Sequence, residues 1–416
     1  MSKFNYKTIL FYLFLLVFTI VESKGGGDFK IFLDASKDLF NGKNIYTQVY
    51  NEYYHYYYDL FFAIIIYPLT FIPLFFAKFI WIIFNIFLIS QTWKLLINWL
   101  PVDLLSSKML SVFKIIIWLF MLRFMRDNLH LCQMTITILF LSLKGLDLIQ
   151  NKKNMGGAFL IALGISIKIL PVVLIPYLIF RSYFKESLMI VMLFIFLQII
   201  PLLFIDFQQV LFLLQERWHS LNPNNENHIL DTSERSFHSL TTLLSTLLVE
   251  NCGDTYALTL KRNIADLSLS NLKLVILIVR LFLIFFTIYF LGMSIFKKQL
   301  NKLNILYELS YIFLLIPLIF PHQQHYAFYF LFPAIVYLTF YWTFYFDRIE
   351  NKAKTRKLYL IIGIAFILYF LTNCHLILGT FNEYYDHYKI LTYGAILFIT
   401  SLAYSHPKKL NLQNSI

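Results

Sequence analysis

A short set of polar groups carries the chemistry open to this chain. Asp28 follows Gly25-Gly26-Gly27 directly, Lys168 stands three residues before Pro171, Arg217 and Arg235 lie in a polar stretch, and His322 and His325 share the segment Pro321-His322-Gln323-Gln324-His325-Tyr326. A carboxylate after a glycine run can act as general base toward a hydroxyl. It can equally be a solvated loop acid, or cap a helix over residues 29 to 40. Lys168 sits in apolar sequence, where an ammonium must snorkel or find an anion. Arg217 and Arg235 can hold a phosphate through paired hydrogen bonds, or pair with Glu216 and Glu234 on the surface. The two imidazoles at i, i+3 spacing can share a helical face, yet no further metal ligands accompany them. Asp34 and Asp38, with Lys30 and Lys37 nearby, suit one solvated helix face, and no Asp-x-Asp pair that would hold a metal nucleotide occurs in this stretch. No glycine-rich phosphate loop, Ser-His-Asp order or Cys-pair motif is present. Cys132, Cys252 and Cys374 are too scattered for a disulfide framework or a metal site. Neither a metal nor a cofactor is therefore expected.

Composition dictates the elements that must position these groups. The 416 residues are 59% hydrophobic and 14% charged, against roughly 45–50% and about 25% in soluble chains. Such a chain cannot build a water-soluble surface, which excludes soluble enzymes, disordered scaffolds and disulfide-stapled secreted domains. What remains is an all-α polytopic membrane protein, whose helices satisfy their own backbone hydrogen bonds in lipid. The net charge of +12 does not point to nucleic acid, because the 35 Lys and Arg fall in short clusters between apolar runs, as the positive-inside rule requires.

Apolar runs of about 20 residues mark the spans. They fall near 6–22, 76–98, 109–126, 129–149, 187–206, 272–295, 304–320, 326–346, 358–376 and 388–405. The stretch 155–180 is read as a broken helical hairpin meeting at Lys168-Ile169-Leu170-Pro171, since a single crossing would put Lys152/Lys153 and Arg181/Lys185 on opposite sides. About twelve transmembrane helices with both termini cytoplasmic follow, in a single integral membrane domain over residues 1–416. Two larger outer loops carrying short helices, 23–58 and 207–271, are expected on the other side. The Phe/Ile/Lys/Asn bias points to a bacterial inner membrane.

The order of motifs resembles glycosyltransferase family 87, membrane enzymes of the GT-C class that use polyprenyl-phosphate sugars. An apolar anchor precedes Asp28-x3-Phe32-x2-Ala35, then Asn41-Gly42-x3-Tyr46, then a Tyr-rich run into Tyr67-Pro68-Leu69-x3-Pro73. Asn128-Leu129-x-Leu131-Cys132-Gln133 is similar to the family's Asn-x-x-x-Gly-Gln turn, and Gly156-x11-Lys168-x2-Pro171 to its Gly…Lys-x-x-Pro hairpin. Ser233-Glu234-Arg235-Ser236 is similar to an Asn-Gln-Ser-Leu segment, and His322 to His325 to a late histidine turn. The likeness extends over most of residues 7 to 345. Cys132 stands where Gly is usual, Asp59 where Pro is usual, and Glu234-Arg235 where Asn-Gln is usual.

The resemblance implies that Asp28 is the general base for an acceptor hydroxyl. It implies a polyprenyl-phosphate sugar donor whose phosphate meets Lys168, Arg217 and Arg235, and substrate contacts from His322, His325, Gln133 and Tyr46. The expected activity is inverting transfer of a hexose, mannose by preference, to a lipid or glycan acceptor at the outer face of the bilayer. A lipid-linked sugar flippase without transferase activity is the alternative; such transporters often show two similar halves, and no such repeat is seen here.

Overall fold

The computed structural model describes residues 6–25, 27–52, 54–222, 229–230, 237–250, 252, 258–348, 352–371 and 374–410. The N-terminal half is helical throughout: α1 (Tyr6–Lys24), α2 (Phe29–Phe40), α3 (Leu60–Ile66), α4 (Leu74–Asn98), α5 (Ser107–His130), α6 (Thr135–Gln150), α7 (Asn154–Ile167), α8 (Leu174–Phe180), α9 (Phe184–Ile199) and α10 (Phe207–Leu221). The remainder forms α11 (Leu240–Leu248), α12 (Leu269–Leu291), α13 (Lys302–Ile319), α14 (Phe332–Arg348), α15 (Lys352–Phe370), α16 (His375–Leu378), α17 (Phe381–His387) and α18 (Ile390–Tyr404). Among the described residues two isolated bridges, Tyr50 with Tyr54 and Phe237 with Gln324, are the only extended pairings. The all-α expectation holds.

The span count comes out differently. Five helices among the described residues are long and apolar enough to cross a bilayer, or six if α1 and α2, which meet at 53°, form one bent span. The apolar segments read from the sequence do fold as helices, but several are short. At 1.5 Å per residue the 14 residues of α7 reach only ~21 Å, against a hydrocarbon core of about 30 Å. The 24 residues of α5 have the length, yet Lys108, Lys114, Arg123, Arg126 and Asp127 interrupt their apolar character.

The chain divides into two compact units, the first made of Met1–Trp93, Arg126–Ile175 and Phe184–Leu221. Its centre is α7, which packs against both α6 and α9. The α6–α7 approach depends on glycine: a Cβ on Gly157 would lie 2.5 Å from the Gly145 carbonyl oxygen, and one on Gly145 would lie 2.8 Å from that of Gly157. Small residues that let backbones meet are the usual adhesive between helices in lipid. Gly156, the glycine the motif had singled out, has ordinary space around it. α2 is amphipathic: Phe29, Ile31, Phe32, Leu33, Ala35, Ser36 and Leu39 are buried, while Lys30 and Lys37 face outward. It rests on α3 and on the 3-10 turn Tyr67–Phe71, and the Ser36 hydroxyl donates to the Ala63 carbonyl at 2.6 Å.

The second unit comprises Lys94–Met125, Pro176–Tyr183 and Asn222–Ile416. α13 and α14 form its core, with every described residue of the stretch His325–Phe344 buried, and α15 packs along α18. α12 runs against α11 and α13, exposing Leu277, Ile278, Phe282 and Phe285 on its other side.

Candidate functional site

The first unit gathers a polar cluster around the start of α2. Gly27 has φ +100, and a Cβ there would come within 3.0 Å of the His130 carbonyl oxygen, so the chain can pass this point only as glycine. The turn delivers Asp28 to the N-cap position of α2, where its backbone N–H donates to the Leu131 carbonyl at 3.1 Å. Its carboxylate makes no side-chain cap hydrogen bond, so it is not consumed in starting the helix. Instead the Gln133 side-chain amide donates to Asp28 Oδ2, and Gln133 Oε1 accepts from the Tyr58 hydroxyl at 2.9 Å.

Two connections make that chain of contacts rigid. The backbone N–H of Gln133 donates to the Asn128 carbonyl at 2.9 Å, closing the turn after α5. Cys132 in that turn has φ +55, the left-handed region that glycine occupies at no steric cost, and the Cys132 carbonyl accepts from the Trp81 indole at 3.2 Å. This is the physical reason for a glycine preference at the position. On the other side, Lys78 of α4 is buried and donates to the Gly25 carbonyl at 2.6 Å, tying down the glycine run.

Lys168 joins the cluster from the break between α7 and α8. Its ammonium lies 5.2 Å from the centroid of the Tyr58 ring, a cation–π distance. α7 ends as Lys168 turns extended, and the chain re-forms as the 3-10 turn Leu170–Val173 with Pro171 packed near Gly164. Burial of the ammonium pulls Lys168 down to about 8, while the negative field of Asp28 works in the opposite direction. Burial pushes the Tyr58 phenol well up, with Asp28 adding to it, so Tyr58 remains a donor across the working pH range.

A second polar pair stands beside this one in the same unit. Asp59 is fully buried, caps α3 by accepting from the Phe61 N–H at 2.9 Å, and receives Nη1 of Arg217 from α10. Burial raises the Asp59 carboxyl and the guanidinium opposes that rise. Tyr46 donates from its hydroxyl to the Tyr58 carbonyl at 3.1 Å, and Tyr56 to the Asp59 carbonyl at 2.9 Å. Arg217 therefore pairs with Asp59 and not with its neighbour Glu216, which accepts from Asn44 at 2.9 Å. Asp34 and Asp38, half-buried on the outward side of α2, line an open groove of about 540 Å³ with Lys30, Lys37, Tyr50 and Glu52.

The structure thus brings Asp28, Gln133, Tyr46, Lys168 and Arg217 into one unit, linked through Tyr58 and Asp59. Those two linking residues were missed as site residues, although an Asp before the apolar run Leu60–Ile66 is a readable capping signal. His322 and His325 belong to the second unit. His322 has φ +54 and its ring lies 5.2 Å from that of Phe237. His325 opens the 3-10 turn His325–Leu331. Nearby His238, also overlooked, has Nε2 3.6 Å from Asp386, and burial, Lys389 and His325 hold its ring well below the usual histidine range. Arg235 lies outside the described residues, as do Gly26, Tyr53 and Pro223. Among the described residues, no group of three His, Cys, Asp or Glu side chains could hold a metal ion.

Compared with known families, residues 56–321 match the model of glycosyltransferase family 87. No curated protein matches this chain, and no solved structure does.

Proposed function

The chain belongs to glycosyltransferase family 87, and from that premise we propose that it moves a hexose, mannose by preference, from a polyprenyl-phosphate sugar to a lipid or glycan acceptor. Its apolar helices make it an integral membrane protein, which suits a donor dissolved in the bilayer. The reaction is of the GT-C type and runs at the outer face of a bacterial inner membrane. The observation that carries the reading is the Asp28 carboxylate: it stands at a helix start without capping it, and it is oriented by Gln133 and Tyr58 beside the Lys168 ammonium.

Asp28 accepts the proton of the acceptor hydroxyl as that oxygen attacks the anomeric carbon. The bond from that carbon to the phosphate oxygen breaks on the opposite face, so configuration inverts and polyprenyl phosphate departs with the electron pair. Its added charge is met by the Lys168 ammonium, a preorganised cation in a water-poor setting. Gln133 fixes the Asp28 rotamer through its amide. Arg217, held on Asp59, is a further cation for the donor phosphate, and Tyr46 and Gln133 contact the sugars.

The decisive experiment compares Asp28→Asn with wild type, using mass spectrometry of membrane glycolipids from cells carrying each. The expected result is a product one hexose heavier than its precursor with wild type and none with the variant at equal protein level. Equal product from both would remove the proposed base, and no hexose-shifted product from either would favour the flippase.

A further inference from the structure

Asp28 is reached through the most yielding stretch of the chain. Gly25-Gly26-Gly27 separates it from α1, and glycine loses more conformational freedom on ordering than any other residue. A reacting group has to be held within about 0.5 Å of its working geometry, so the freedom of this connection must be removed. Two of the holds on Asp28 come from the end of α5 and the turn after it: the Leu131 carbonyl takes its backbone N–H, and the Gln133 amide takes its carboxylate. Where Asp28 stands relative to α1 therefore depends on how α1 is joined to α5.

That joint is a hydrogen bond between two titratable side chains. His130, the last residue of α5, places Nδ1 2.6 Å from Oε2 of Glu22, two residues before the end of α1. The Glu22 side chain is 12% exposed and the His130 ring 45%, so the carboxylate is largely out of water and the imidazole N–H is its donor. The backbones of the same two residues bracket the glycine run: the Glu22 carbonyl accepts from the Gly25 N–H at 3.4 Å, and the His130 carbonyl oxygen is the atom that a Cβ on Gly27 would strike. The charges of Glu22, Asp28 and Lys78 all act on the Cys132 thiol, which places them in one polar cluster.

We infer that Glu22 and His130 are a positioning pair for the Asp28 base. By fastening the end of α1 to the end of α5 they close the gap that the glycine run bridges, and so fix the backbone on which Asp28 stands. Neither side chain takes part in the transfer itself. The inference rests on the reading of Asp28 as base, and its test separates the two.

The test uses purified full-length protein, with farnesyl-phosphoryl-mannose as donor and the solubilised membrane glycolipid fraction as acceptor, and reads release of farnesyl phosphate. His130→Ala and Glu22→Ala cut the same hydrogen bond from either side; each should lower kcat about ten-fold and change donor KM by less than about two-fold, since misplacing a reacting group by about 1 Å can cost 10²-fold. His130→Asn, whose amide N–H stands where the Nδ1–H does, should recover most of the rate. In an Asp28→Asn background His130→Ala should bring no further fall, because no base is left to position; a purely structural staple lowers the rate alike in both backgrounds. Should His130→Ala not accumulate, Glu22→Ala carries the same comparisons. Wild-type kcat in the alanine variants, a loss in donor KM instead of kcat, no recovery in His130→Asn, or a second fall of similar size in the Asp28→Asn background overturns the pair and leaves the base. Wild-type turnover by Asp28→Asn, or none by wild type, removes the base and the pair together.

Discussion

A base, an orienting amide and a cation differ in how their removal should register. General bases contribute about 10²–10⁴-fold, so Asp28→Asn should lower turnover by at least that factor in an assay of purified protein with donor and acceptor. Gln133→Ala leaves the carboxylate in place but unheld, and a smaller fall of about ten-fold is expected, most of it in kcat. Lys168 gives a pH signature. With its ammonium at about 8, kcat/KM for the donor should be flat below that pH and fall with unit slope above it. Stability moves the other way: the unfolded chain binds this proton more tightly, up to an ordinary lysine pKa of about 10.4, so the cost of burying the charge fades as pH rises from about 8. Lys168→Arg, charged throughout, should flatten the profile; an unchanged descending limb in that variant would take Lys168 out of phosphate binding. Asp28 and Lys168 were legible in the sequence because charge is scarce in apolar surroundings. Tyr58 was not, being hidden in a run of tyrosines, and Asp59 was readable only as a helix cap, since its pairing role comes through burial that folding creates.

Among the elements, helix positions were read well and helix lengths poorly. Apolar runs and basic clusters located α4, α12, α13 and the start of α9 to within a few residues, but periodicity cannot say whether a 14-residue helix such as α7 crosses or only enters the bilayer. The break after Ile167 was visible through Pro171, whereas the tight α6–α7 contact was not: Gly145 and Gly157 become neighbours only when the two helices fold back. That contact yields a test. Gly157→Ala places a methyl 2.5 Å from a backbone oxygen that no rotamer can move, and should cost about 1–3 kcal/mol, seen as earlier unfolding in detergent. Gly156→Ala, one residue away with room to spare, should be close to neutral and serves as its control. The turn holding Gln133 obeys a different rule. Cys132→Gly relieves the left-handed backbone at the loss of a small buried side chain and should be nearly neutral, while Cys132→Val adds a β-branch there and should reduce both stability and activity.

For the molecule as a whole, the sequence treated Arg181 as one more inner-loop charge that sets orientation. The structure spends it inside the second unit. Arg181 donates from Nε to Glu308 Oε2 at 3.0 Å and from Nη2 to Oε1 at 2.6 Å, both partners being under 5% exposed. The same guanidinium reaches the Leu291 and Ser294 carbonyls, and Glu308 accepts from Tyr177 at 3.1 Å, so one ion pair fastens the residues after α8, the end of α12 and the start of α13. Composition could not reveal this, because a Lys or Arg that orients a chain and one that pins a core look alike in a list of charges. Removing one partner leaves the other charge buried, which costs about 3–5 kcal/mol, whereas replacing both with apolar groups of similar volume is often neutral. Glu308→Leu should therefore lower the Tm in detergent by on the order of 10 °C. Arg181→Met combined with Glu308→Leu should recover most of that loss. If the double variant is instead less stable than either single one, the pair would have to be assigned a net stabilising role, with the carbonyls of Leu291 and Ser294 depending on Arg181 for their satisfaction.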